Sequence, residues 1–295
     1  MWAESKMNRQ QWVAEAAREV LLDQLLKIEF NRELWCRTQK ADALHDLRVA
    51  IRRSRALLGQ LKGDLPEALA PYRKELARLG AISGPLRDLD VLQEAFLPSG
   101  ICAQADADLS ETVRQLLGEE RKERQAQLSL QLQAEPAASF SQRWATALEP
   151  LLRVEGELLG SVADRQIARN LEKLLAKGAR LKRTSSDRQY HRLRIRGKKL
   201  RYLLEFFAPL YPSGLSEQVV KELKQLQELL GQGQDYSAWR RWLAGSLAAM
   251  SADLLRRGDE MFAAGQQQCR QQFASRFAQF AESEACLRLQ RLLEA

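Results

Sequence analysis

Apolar residues recur at intervals of three and four along most of the chain, and we find no stretch that alternates apolar and polar residues as a strand would. Such spacing places apolar side chains on one face of an amphipathic helix. The pattern therefore predicts an all-α protein. Residues 9–35 show it with Trp12, Ala16, Val20, Leu21, Gln24, Ile28 and Leu34.

Glycine, proline and serine divide this pattern into separate helices, because these residues favour turns over helix interiors. The last helix is expected to break near Gly258 or Gly265. The clearest boundary, residues 134–139, divides the chain into a first half, 1–134, and a second half, 139–295. Helices are predicted at about 9–35, 41–61, 65–79, 86–92, 104–133, 140–181, 187–208, 215–230 and 235–293.

One motif occurs once in each half. Residues 45–55 read HDLRVAIRRSR, and residues 191–201 read HRLRIRGKKLR. The shared pattern is His-x-Leu-Arg-[Val/Ile]-x-x-[Arg/Lys]-[Arg/Lys]-x-Arg, at an offset of 146 residues, and it uses both histidines of the chain. Chance is a poor explanation for this match, so the motif predicts an internal duplication and two pseudo-symmetric helical bundles.

On a helix, each copy of the motif has a basic face opposite a leucine-rich core face. Like charges three and four residues apart destabilise an isolated helix, so a basic stripe that occurs twice indicates an anionic ligand. Two stripes that face each other across a pseudo-two-fold axis would form a positively charged channel. The first stripe consists of His45, Arg48, Arg52 and Arg55, and the second stripe of His191, Arg194, Lys198 and Arg201.

A weaker repeat follows each motif. Residues 79–88 resemble residues 226–235 at an offset of 147, one residue more than the first repeat, as a loop insertion would give. Basic residues on a predicted helix precede each copy. They are Arg73, Lys74 and Arg78 in the first half, and Lys221 and Lys224 in the second.

Composition supports an anionic partner and excludes several classes of protein. The chain has a formal net charge of +8 and 45% hydrophobic residues, but no run of about 18 apolar residues that would span a membrane. The four cysteines form no Cys-x-x-Cys pair, which indicates free thiols in a reducing cytosol. Two histidines on separate helices are too few for a zinc site. We see no phosphate-binding glycine loop, nucleophile elbow or paired carboxylates, so neither an enzyme nor a cofactor is expected.

At these motifs the sequence resembles the CHAD family, the conserved histidine α-helical domain. Both His-x-Leu-Arg helices match its pattern, as do the Gly-x-x-Arg-Asp-x-Asp-Val element at 84–91 and its weaker partner at 231–235. The resemblance covers nearly the whole chain and implies a single domain over residues 1–295, with two helical bundles around a basic central pore. It also implies non-enzymatic binding of inorganic polyphosphate, often at polyphosphate granules.

The resemblance implies that the two stripes line the pore, with Arg53 and Lys199 at its rim. Lys74, Arg78, Lys221 and Lys224 are further candidates. The chain departs from some family members in lacking a triphosphate-tunnel module with a Glu-x-Glu-x-Lys signature, so no attached hydrolase is implied. Gln234 stands where the first copy has Arg87, which predicts that the two halves contact the ligand unequally.

Nucleic acid is the second candidate ligand, because a basic helical stripe also suits DNA or RNA phosphates. Base recognition would need amide or aromatic groups among the arginines, and residues 45–55 offer none. A protein scaffold would leave the duplicated charge unexplained. The sequence indicates a cytoplasmic protein, with granules as one location, and it identifies no protein partner.

Overall fold

The computed structural model describes residues 7–97, 100, 102, 105–134, 137–247 and 251–294. Within this part of the chain, eleven α-helices and three short 3-10 helices form, with one isolated β-bridge between Trp12 and Leu158. The all-α prediction is confirmed. The α-helices are α1 (Val13–Thr38), α2 (Ala41–Gln60), α3 (Ala70–Ile82), α4 (Gly84–Ala95), α5 (Ala107–Ala134), α6 (Ala137–Leu148), α7 (Leu159–Gly178), α8 (Asp187–Phe206), α9 (Leu215–Leu247), α10 (Ala252–Ala281) and α11 (Glu284–Glu294). The 3-10 helices are Glu67–Leu69, Glu149–Arg153 and Ala208–Leu210.

The chain forms two compact units. Unit 1 comprises Met1–Gly100 and Arg114–Val162, and unit 2 comprises Ile101–Val113 and Ala163–Ala295. These units differ from halves divided at residues 134–139, because α6 and the 3-10 helix Glu149–Arg153 both pack against α1 in unit 1. Two of the three boundaries between the units lie inside α5 and α7.

In unit 1, α2 packs between α1 on one side and α3 and α4 on the other. Its predicted core residues Leu47, Ile51 and Leu58 are at most 5% exposed. The α1 face predicted from the 3.6-residue repeat is also buried, with two exceptions. Leu34 is half-buried, and Trp12 precedes the helix, forms the β-bridge and is 37% exposed.

In unit 2, α8 packs against α9, and α9 packs against α10. A capping box starts α8, in which Ser186 and Gln189 satisfy each other's backbone N–H groups. The predicted core residues Leu193, Leu200 and Leu204 are almost fully buried. The apolar face predicted for each copy of the motif is therefore confirmed.

Glycine was a poor guide to where the long helices end. The break predicted between residues 230 and 235 is wrong, because α9 continues through them, and the breaks predicted near Gly258 and Gly265 are wrong as well. A Cβ on Gly258 would lie 2.6 Å from Leu243, and one on Gly265 would lie 2.4 Å from the Tyr236 ring. These two glycines therefore allow α9 and α10 to pack closely.

Two other predicted boundaries differ from the structure. The predicted helix 140–181 is interrupted between α6 and α7, where Pro150 lies in the first turn of the 3-10 helix Glu149–Arg153. The predicted break at 80–85 shrinks to one residue, Ser83, because α4 begins at Gly84 and accommodates Pro85 in its first turn. Proline is tolerated there because the first N–H groups of a helix have no intrahelical partner.

Candidate functional site

Arg48 joins the first stripe to the junction between α3 and α4. Its Nη1 donates to the carbonyl oxygen of Gly80 at 2.8 Å and to Oγ of the buried Ser83 at 3.1 Å. A Cβ on Gly84 would lie 3.5 Å from the same nitrogen. The guanidinium thus satisfies a carbonyl in the last turn of α3, where positive charge is also favoured by the helix dipole. Burial lowers the pKa of Arg48, and Asp88 acts in the opposite direction.

His45, one turn before Arg48, lies near two arginines. The pKa of His45 lies below its usual value. Partial burial is the largest cause, and the nearby Arg87 and Arg52 lower the pKa further. Arg87 itself pairs with Glu94 at 2.8 Å. Nε of Arg52 is buried and has no hydrogen-bond partner among the described residues. The first stripe therefore combines a neutral imidazole with guanidinium groups that are only partly satisfied within the protein.

Arg55 extends the first stripe into a basic groove. The groove has a volume of about 550 Å³ and is lined by Arg55, Lys62, Arg73 and Lys74, together with Glu67 and apolar residues. Of the other candidates in unit 1, Arg53 lies half-buried on α2 and Arg78 lies exposed on α3. The structure thus brings Lys74 together with Arg55 and adds two cations, Lys62 and Arg73.

The second stripe begins with a histidine that has a defined partner. Nδ1 of His191 lies 3.0 Å from the amide oxygen Oε1 of Gln234, so a proton on Nδ1 would be donated to that oxygen. Arg194 lies against Gly231, where an added Cβ would be 3.7 Å from its Nε. Lys198 is half-buried, and Lys199, Lys221 and Lys224 are exposed.

Contacts inside the two units match at positions that the repeats relate. His45 lies near Arg87 in unit 1, and His191 contacts Gln234 in unit 2. In the same way, Arg48 lies against Gly84, and Arg194 lies against Gly231. Each unit thus holds its basic helix against the following helical segment at equivalent places.

The last residue of the second stripe differs from its counterpart. Arg201 lies 3.5 Å from Glu205 in an ion pair and 5.0 Å from the centre of the Tyr202 ring. Glu205 corresponds by the repeat to Gly59 in unit 1, which has no carboxylate. Arg201 is therefore partly neutralised within the protein, whereas Arg55 lines an open basic groove.

Several residues at the site were not predicted as site residues. Lys62 follows Arg55 by seven residues, or two helical turns, a spacing that could have indicated it. Arg87 and Gln234 stand at equivalent positions of the weaker repeat. This difference in charge is the signal that could have indicated Arg87. Gln227 carried no signal in the sequence: it lies buried beside Gly197, and neither its amide nitrogen nor its amide oxygen has a hydrogen-bond partner among the described residues.

Within the described residues, no group of three or more His, Cys, Asp or Glu side chains could hold a metal ion. No helix in that part of the chain is long and apolar enough to cross a membrane.

Comparison with known proteins adds a family and two related folds. A family model described as CHAD domain matches residues 19–244, more than half of the chain. The chain is similar to the crystal structure of the CHAD domain from the plant Ricinus communis, with 23% sequence identity, a TM-score of 0.82 and 96% of each chain covered. It is also similar to PptA from Streptomyces chartreusis, with 15% identity, a TM-score of 0.66, and 92% of this chain and 100% of that chain covered. No curated protein matches.

Proposed function

Because the chain belongs to the CHAD domain family, we propose that it binds inorganic polyphosphate and catalyses no reaction on it. The observation that carries the proposal is the pair of His/Arg/Lys stripes, each held by equivalent contacts within its own unit. We further infer that the stripes arose by internal duplication and bind one polyanion together. The basic pore, the cytoplasmic location and an association with polyphosphate granules belong to the same proposal.

The chemistry of the first stripe favours a ligand without bases. Guanidinium groups form strong, charge-assisted hydrogen bonds to phosphate oxygens. Reading of nucleic-acid bases needs amide or aromatic groups that reach base edges or stack on them. At the second stripe, the amide oxygen of Gln234 already faces His191, and the Tyr202 ring beside Arg201 is buried. A featureless chain of phosphates therefore fits the stripes better than a nucleic acid does.

A competition titration distinguishes the two candidate ligands. The protein is first saturated with labelled long-chain polyphosphate, and single-stranded DNA of matched total charge is then added. We expect the DNA to displace the label only at a concentration at least tenfold above that of unlabelled polyphosphate. Displacement by DNA at equal concentration would favour the nucleic-acid function instead.

Polyphosphate binding should strengthen as the pH falls below about 7. The pKa of free His45 lies below its usual 6.5, because burial, Arg87 and Arg52 disfavour the imidazolium. Bound phosphate would raise that pKa, so binding would take up a proton, and each unit of increase adds up to about tenfold in affinity. The folding stability of the free protein depends on pH in the opposite direction to binding. The contribution of His45 to the free energy of unfolding is constant well above pH 6.5 and is lost as the pH falls below 6.5.

Calorimetric titrations with long polyphosphate between pH 5.5 and 8 measure this dependence. The variant His45→Gln removes the titrating group and should give a flatter profile. Identical profiles for the variant and the unmodified protein would exclude His45 as the source.

A further inference from the structure

Most of the positive charge in unit 2 lies outside the second stripe. Residues 165–199 contain 13 Lys and Arg but two acids, Glu172 and Asp187. Their surplus of 11 positive charges exceeds the net charge of +8 of the whole chain. Only Arg194 and Lys198 of these cations belong to the second stripe. The charge of this segment therefore needs a separate explanation.

Two rows of cations, one on α7 and one on α8, account for much of the positive charge of residues 165–199. The members of each row are four residues apart, so each row runs along one side of its helix for about 12 Å. Four of the six side chains are exposed and two are half-buried. None of the six forms an ion pair with any residue that the structure describes. These residues, which we call the α7–α8 face, are Arg169, Lys173 and Lys177 on α7, and Arg188, Arg192 and Arg196 on α8.

The two helices run in opposite directions. Near the start of α7, Asp164 accepts a hydrogen bond of 2.8 Å from Oη of Tyr211, which follows the end of α8. Residues 179–186 join the end of α7 to the start of α8. The row on α8 therefore lies near the row on α7 within unit 2, and Arg196 influences Lys173 from one helix to the other.

Electrostatics within the face also indicate closely spaced like charges. The pKa of Lys173 is lowered, most of all by desolvation and next by the nearby Arg169 and Arg196. Glu172 acts in the opposite direction. The second acid of the segment, Asp187, is engaged elsewhere, by hydrogen bonds from Ser237 and Gln266. A polyanion that binds this face would therefore relieve repulsion that the protein leaves uncompensated.

The first copy of the motif lacks this feature. Asp42, Asp46 and Ala50 stand at the positions that correspond, at the offset of 146, to Arg188, Arg192 and Arg196. Both helices bury their core face and carry a stripe, so neither the fold nor the stripe requires the three arginines. Their presence in one copy alone indicates a role that belongs to unit 2.

We propose that the α7–α8 face is a second binding site that takes the phosphate backbone of a double-stranded nucleic acid, independently of base sequence. A duplex carries one charge per about 1.7 Å, or about seven phosphates over the 12 Å length of the rows. Six exposed or half-buried cations on two neighbouring helices can contact phosphates of both strands of a duplex. The proposal goes beyond the proposed function: a protein with both sites would link a nucleic acid to polyphosphate.

Other occupants fit this face less well. Protein interfaces have apolar or aromatic residues at their centre, and the exposed large apolar residue within the rows is Ile195 alone among the described ones. Insertion into a lipid surface needs an apolar helix face, and those of α7 and α8 are used in the core of the protein, as Ile167 and Leu200 show.

The test uses the variant R188D/R192D/R196A of the whole chain. In this variant, α8 carries the residues that stand at the equivalent positions of α2. These residues are compatible with the equivalent helix α2, so the variant should fold, and circular dichroism checks this. Binding of a labelled 20-base-pair duplex is measured by anisotropy over a salt series, and polyphosphate binding is measured in parallel. R276D/R288D/R291A makes the same change in charge at exposed residues of α10 and α11.

We expect the α8 variant to lose at least tenfold in duplex affinity and about three units of the slope of log affinity against log salt. Its polyphosphate affinity should fall much less than its duplex affinity, and the α10–α11 control should bind duplex normally. Unchanged duplex binding, an equal loss in the control, or binding of the face to phosphatidylserine vesicles and not to duplex would each overturn the proposal. An equal loss of polyphosphate binding would also overturn it, by assigning the face to the first ligand. Failure of polyphosphate to bind the unmodified protein would contradict the proposed function and leave the duplex result valid.

Discussion

Replacing Arg52 and Arg55 by glutamate together should weaken the binding of long-chain polyphosphate by about a hundredfold or more. Hydrogen bonds to charged groups contribute about 1.5–3 kcal/mol each, so the loss of two contacts alone corresponds to about 10²–10⁴ in affinity. Arg52 has a buried Nε without a hydrogen-bond partner in the described part of the chain, and Arg55 opens into a groove with three further cations. The affinity should fall by far more than half, because a single stripe would remain and the new carboxylates would repel the ligand.

The corresponding change in the second stripe, K198E/R201E, should also be harmful, but less so. Arg201 already pairs with Glu205 at 3.5 Å, so part of its charge is compensated before any ligand binds. The double variant R37E/K122E makes the same change in charge on α1 and α5 and serves as the matched control. All three variants should remain helical by circular dichroism, since these side chains are not in the core. Full affinity in both stripe variants would remove the stripes from the site.

Polyphosphate affinity should fall by two to three orders of magnitude between about 50 and 200 mM salt. A cation that neutralises a phosphate releases a condensed counterion, and for single-stranded polyanions the slope of log affinity against log salt is about −0.7 per contact. The six Lys and Arg residues of the two stripes would give a slope of about −4. Fluorescence titrations at five salt concentrations measure it. An affinity that stays flat across this range would indicate a small ligand bound by shape, and R52E/R55E should reduce the slope by one to two units.

The sequence predicted the helical fold and the basic helices well, because both depend on local periodicity. Helix α2 was expected at 41–61 and α8 at 187–208, and they lie at Ala41–Gln60 and Asp187–Phe206. Helix ends that depend on tertiary packing were predicted poorly. Gly258 and Gly265 look like breaks in the sequence, but their missing side chains make room for Leu243 and Tyr236.

The candidate site was predicted in part, for a similar physical reason. A stripe can be identified from spacing along one helix, but partners from other helices cannot. The hydrogen bond of Arg48 to Gly80 depends on how α2 packs against α3, and the unsatisfied amide of Gln227 beside Gly197 depends on how α8 packs against α9. The internal duplication, the pore and the polyphosphate-binding residues remain predictions, supported by the equivalent contacts in the two units.

The central claim is that both stripes act on one polyphosphate chain, and a comparison of chain lengths tests it most directly. A chain that contacts both stripes gains from the high effective concentration of the second stripe once the first is occupied. We expect a chain of about a hundred phosphates, compared per binding site, to bind the unmodified protein at least a hundredfold more tightly than triphosphate. In R52E/R55E, which keeps one stripe, this advantage should shrink to a few fold. Equal affinity of triphosphate and the long chain for the unmodified protein would contradict the account.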